Sequence, residues 1–131
     1  MATERSQEAV VLRWRKFDLL TRARNAFSNV SCIYVQTDLR RNPVRVGKAT
    51  QGLGSRYRGG TGYAVDAAMH RSRNLIFVAP VPADRVAAVE AELIWAHRTR
   101  LSYNNQGKLR QPVLGLKLIH RGSGPKFPAA R

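Results

Sequence analysis

The chain has 131 residues, 44% of them apolar, enough for one domain with a single core. Lys and Arg number 23 against 8 Asp and Glu, a formal net charge of +15. No run of eighteen apolar residues is present, which excludes a transmembrane helix, and three histidines with one cysteine exclude a disulfide framework and argue against a zinc cluster.

Along the chain, Val10, Trp14, Phe17, Leu20 and Phe27 recur at spacings of three, four or seven. That predicts a helix over about 7–27. Arg13, Lys16, Arg22 and Arg24 fall largely off its apolar stripe, as solvated charges or as an extension of a phosphate-binding surface. The β-rich run Val30 to Thr37 stops at the turn-rich stretch Asp38 to Pro43, and Val44 to Gly47 alternates in period two. Together they predict a hairpin. A short helix is expected over 51–58, ended by Gly59 and Gly60, and another over 63–72. Leu75 to Ala79 is a continuous apolar run, a strand buried on both faces. Pro82-Ala83-Asp84 opens a helix to about Arg100, with Asp84 near its positive end. One strand-like stretch, Val113 to Ile119, precedes a glycine- and proline-rich end.

The charge is spread over the chain. Residues 1–29 hold 6 basic and 3 acidic groups, 30–82 hold 8 and 2, and 83–131 hold 9 and 3. A folded domain with such a field repels itself unless a polyanion is its normal partner. Nucleic acid is favoured over anionic membrane, because no amphipathic helix with a concentrated basic face is evident. The N-terminus shows no signal-peptide pattern and Cys32 is the lone cysteine, so a reducing, cytoplasmic setting is expected.

The acids are few enough to inspect in full: Glu4, Glu8, Asp18, Asp38, Asp66, Asp84, Glu90 and Glu92. A two-metal nuclease clusters several carboxylates around ions roughly 3.5–4 Å apart, which this set can scarcely supply. Metal chemistry would run on one carboxylate. Glu90 and His97 fall on the apolar side of the last helix, with Val86, Val89, Leu93 and Ala96. A carboxylate there is costly unless paired with a basic side chain or bound to a cation. Two phosphate-loop patterns fail. Gly47-Lys48 lacks the first Walker glycine, since Asn42 stands there, and Ala49 replaces Ser/Thr; Gly52-Leu53-Gly54 has Tyr57 where a third glycine is needed.

An ordered set remains. Cys32-Ile33-Tyr34 lies on one strand and Arg45-Val46-Gly47 on the next; Leu53-Gly54-Ser55-Arg56 follows on a helix, then Glu90-Ala91-Glu92-Leu93-Ile94, then Tyr103-Asn104-Asn105. Over about residues 30–105 this resembles the GIY-YIG nuclease family. The resemblance implies a small GIY-YIG-like α/β domain with a three-stranded, mainly antiparallel sheet flanked by helices. Residues 1–29 are expected as an N-terminal helical extension, 30–120 as the domain and 121–131 as a flexible basic tail.

It also implies roles. Tyr34 would orient or deprotonate the attacking water, and Arg56 would stabilise the charge developing on the phosphate. Glu90 would hold one Mg²⁺ or Mn²⁺, and Asn104 or Asn105 would buttress the site. Phosphodiester hydrolysis needs such an activated water, a cation and a donor fork. Lys48, Arg58, Arg71, Arg98, Arg100 and Lys108 are the candidates for flanking phosphates. The pattern departs at Cys32, which replaces a glycine, and at Arg45, which stands in the slot of the second tyrosine. Arg45 would work there directly, or Tyr57 or Tyr63 would reach in. Gly52 is an extra residue, and Gly60 stands where a histidine is often found, with His70 or His97 as accessory groups. The expected function is a metal-dependent endonuclease that hydrolyses DNA, with Tyr34, Arg56 and Glu90 around one phosphate-sized pocket. The alternative is a catalytically inactive GIY-YIG-like module that binds DNA or RNA in a nucleoprotein assembly; for either reading a homodimer or larger assembly is a candidate partner. A third class, an RNA-binding structural protein, accounts for the charge but not for the motif order.

Overall fold

The computed structural model describes residues 8–56, 74–97 and 115–125, apart from the side chains of Ser55 and Arg56. Val10, Leu12 and Trp14 are buried while Val11, Arg13 and Arg15 are exposed, so the N-terminal segment alternates with the period of a strand. Ala9–Phe17 is strand β1, and only after the bend at Asp18 and Leu19 does helix α1, Leu20–Ala26, begin. The helix expected over 7–27 is thereby corrected. Its stripe joined Val10 and Trp14, on one face of β1, to Phe17, on the other.

The expected hairpin is present as β2, Cys32–Thr37, and β3, Pro43–Ala49, paired antiparallel with Tyr34 opposite Gly47. Asp38 organises its turn. Its Oδ1 accepts the backbone N–H groups of Arg40 and Asn42, both at 2.9 Å, and its Oδ2 accepts Asn42 Nδ2 at 3.1 Å. Next comes a short helical turn, α2, Leu53–Arg56, at the start of the helix expected over 51–58. The helix expected over 63–72 lies outside the described residues. Gly52 is neither part of a nucleotide loop nor idle: at φ 97° it brings the chain against Ser28, where a Cβ would also lie 2.8 Å from Asn29 N. The N–H groups of Leu53 and Gly54 then donate to the carbonyls of Phe27 and Ser28 at 2.8 and 3.3 Å, which ties the start of α2 to the end of α1.

Strand β4, Leu75–Pro80, is the expected buried apolar run, and helix α3 spans Val86–Ala96. Arg85, not Asp84, holds the N-cap position of α3. Strand β5, Lys117–Gly122, overlaps the expected strand-like stretch only at its start.

The five strands form one mixed sheet in the order β3-β2-β4-β1-β5. All neighbours are antiparallel except β1 and β5, which run parallel. The architecture is α/β as expected, but the sheet has five strands, not three. Within the expected 1–29 segment, β1 is bonded between β4 and β5, and at the start of the expected 121–131 tail Arg121 and Gly122 pair with Arg13 and Trp14.

Alternation along each strand divides the core in two. One apolar cluster packs α3 through Val86, Val89, Leu93 and Ile94 onto Leu12, Ile33, Val35, Val46 and Phe77. The other packs α1 and α2 through Ala23, Phe27 and Leu53 onto Phe17, Cys32, Tyr34, Ile76 and Val78. These are the α3 face and the α1 face. Among the described residues no helix is long and apolar enough to cross a membrane.

Candidate nucleic-acid interface

Tyr34 belongs to the α1 face and is wholly buried, at 0% exposure. Its ring lies across the strand pair over Gly47, where a Cβ would stand 2.8 Å from Cε1 and closer still to Cζ and Oη. Cys32, two residues earlier on the same face, has its thiol pushed up to about 12 by burial. Arg45 is on this face as well, half-buried and opposite Gln36. Helical turn α2 joins the same side through Leu53, and Arg56 closes it, its side chain lying outside the described residues.

Glu90 lies on the other side of the sheet. Lys48 alternates with Gly47 and Ala49 and so points to the α3 face, where its Nζ is 3.3 Å from Glu90 Oε1. The ion pair weighed for Glu90 is the one observed, and Lys48, expected on a flanking phosphate, serves it. A divalent ion at Glu90 would sit beside this ammonium. Among the described residues no group of three His, Cys, Asp or Glu could hold a metal. The expected Mg²⁺ or Mn²⁺ rests on Glu90 alone, and the Lys48 ammonium stands beside that carboxylate. His97 is buried at the end of α3, its backbone N–H donating to the Leu93 carbonyl at 3.1 Å. Tyr34 and Glu90 are thus separated by the sheet and do not converge. Tyr57, Arg58, Tyr63, His70, Arg71, Arg98, Arg100, Asn104, Asn105 and Lys108 lie outside the described residues.

Other described carboxylates serve the fold. Glu8 Oε2 accepts Arg85 Nε at 2.5 Å, Asp84 Oδ2 is 3.8 Å from Arg85 Nη1, and Glu92 Oε2 accepts the Leu116 N–H at 2.9 Å. Desolvation raises the Asp38 carboxyl, but hydrogen bonds from Asn42 and Arg40, with the Arg40 charge, outweigh it and hold the group below its ordinary value.

Of the cations on β1 and β5, sequence reasoning weighed Arg13 for a phosphate-binding surface and passed over Arg15, Lys117 and Arg121. Arg13, Arg15, Lys117 and Arg121 are exposed, and their strands contain no acid. The signal was available as an alternation, Val11-Arg13-Arg15 against Leu12-Trp14, hidden by the helical spacing of Val10, Trp14 and Phe17. No family model, curated protein or solved structure matches the chain.

Proposed function

We propose that this protein binds the phosphate backbone of nucleic acid without cutting it. The observation that carries this reading is the net charge of +15 on a domain whose carboxylates at Glu8, Asp84 and Glu90 are already held in ion pairs. Counterion release from phosphate then supplies the affinity, independent of base sequence. The test is fluorescence anisotropy on a labelled duplex from about 50 to about 200 mM salt. Binding should fall steeply, by about 0.9 log unit per log unit of salt for each phosphate neutralised, and should persist in EDTA. A flat salt response would remove the proposal.

Cleavage is the second reading. It is favoured by a hairpin that sets Tyr34 opposite Gly47 and continues into α2, the order that the GIY-YIG resemblance implies. Against it stand the burial of Tyr34 and the Lys48 ammonium on Glu90. Mg²⁺-dependent nicking of plasmid by the wild-type chain, lost in both Glu90→Ala and Arg56→Ala, would establish cleavage instead.

A further inference from the structure

We infer that the nucleic acid is a duplex and that it docks on the α1 face of β1 and β5, with Arg13, Arg15, Lys117 and Arg121 on its phosphates. The inference rests on the backbone-binding reading above. In the parallel pair, Ala9, Val11 and Arg13 of β1 stand beside Lys117, Ile119 and Arg121 of β5, so these side chains share one face. Neighbouring strands run about 4.8 Å apart and residues rise about 3.3 Å along a strand, so Arg13, Arg121 and Arg15 cluster while Lys117 lies about 13 Å from Arg121, a row about 20 Å long.

Arg13 and Arg121 are direct neighbours, and like charges in that relation are destabilising. A bound polyanion relieves the repulsion. Neither strand carries an acid; of the two acids that flank β1, Glu8 is ion-paired with Arg85 and Asp18 lies in the bend before α1. The buried cluster on this face takes Phe17 from β1 and nothing before it, which leaves Val11 at 40% exposure.

Arg15 is held ready. Its guanidinium lies 5.2 Å from the Phe17 ring and 5.6 Å from the Phe27 ring, a cation–π arrangement that orients the fork. Arg121 Nη1 donates to the His120 carbonyl at 3.3 Å, which leaves most of its five donors for a ligand.

Among the described residues, β1 and β5 offer no stacking platform on this face, which favours the duplex. Trp14 and His120 both belong to the α3 face, and Phe17 is buried. What β1 and β5 present on the α1 face is Val11, Ile119 and the four cations, with no aromatic ring to receive an unpaired base. Single strands are gripped largely by base stacking on aromatics, whereas a duplex offers mainly phosphates to such a surface.

The test compares Arg13→Gln/Arg121→Gln with Lys16→Gln/Arg40→Gln, an equal charge change on the α3 face of β1 and in the hairpin turn. Each is titrated against a duplex and a single strand of equal length, and melted. The β1–β5 variant should flatten the duplex salt slope by about 2 without lowering Tm, because it removes a repulsion. Lys117→Gln should flatten it by about 1 and leaves the paired arginines intact. Equal weakening by the control pair, or a wild-type slope in the β1–β5 variant and in Lys117→Gln, would overturn the assigned face while leaving backbone binding in place. Tighter binding of the single strand would overturn the duplex. Failure of the wild-type chain to bind either one would overturn the underlying functional reading instead.

Discussion

Lys48 Nζ and Glu90 Oε1 meet at 3.3 Å on the α3 face, with the sheet between them and the buried ring of Tyr34. The two side chains remain 41% and 21% exposed, and a pair so hydrated contributes about 1 kcal/mol or less. Glu90→Gln should therefore lose no more than about 1 kcal/mol in urea denaturation. It also removes a negative charge, so duplex affinity should stay level or rise. A tenfold fall in affinity would show that Glu90 serves the ligand and not Lys48.

Gly47 is required by its neighbour across the ladder. A Cβ there meets the Tyr34 ring, which is fully buried in the cluster that holds Phe27, Leu53 and Ile76. Gly47→Ala should cost about 1–3 kcal/mol through overpacking. Combined with Tyr34→Leu, the alanine should cost far less than it does alone, a non-additivity readable from urea midpoints of the four proteins in the cycle. Simple additivity would mean that the ring and the glycine do not meet.

Trp14 Nε1 donates to His120 Nδ1 at 2.9 Å, with the two ring planes within 16° of parallel. Desolvation on that side lowers the His120 pKa from 6.5, although the residue as a whole stays exposed, and the indole donor also favours the neutral ring. The unfolded chain then binds the proton more readily than the folded one. Stability from this group is complete above about 6.5 and is lost as pH falls from there through the lowered folded value. Tm should decline in that window, and His120→Asn should flatten the decline. The Asp38 contribution falls away only lower, below the ordinary carboxylate range, because its folded pKa is depressed.

Cys32 should be inert in the native protein. Its thiol is fully buried and is pushed up to about 12, so the reactive thiolate is scarce at neutral pH. A thiol reagent at pH 8 should label it only in denaturant. Rapid native labelling would show that this part of the α1 face opens.

Much of the fold was legible because its signals are local. The hairpin reads from the alternation of Val44 to Gly47 and the turn chemistry of Asp38 to Pro43, and β4 reads from an unbroken apolar run. The core of α3 reads from Val86, Val89 and Leu93. The misread segment, 9–17, keeps its period of two, but Phe17 is buried in the otherwise exposed row, so the buried side chains Val10, Trp14 and Phe17 fall at helical spacing. Its pairing with β4 and β5, formed by residues distant in the chain, decides between the two spacings in favour of a strand.

The net charge, the poverty in acids and the order of β2, β3, β4 and α3 belong to the sequence alone, for composition and short-range periodicity need no partner. Which side chains meet was decided by tertiary structure. Lys48 and Glu90 are 42 residues apart, and Trp14 and His120 are 106 apart. A strand sends alternate residues to opposite faces, and the path of the connection decides which face a helix covers. That is why Tyr34 and Glu90, in promising order along the chain, stand on opposite sides of the sheet, while Arg13 and Arg121, 108 residues apart in the sequence, stand side by side.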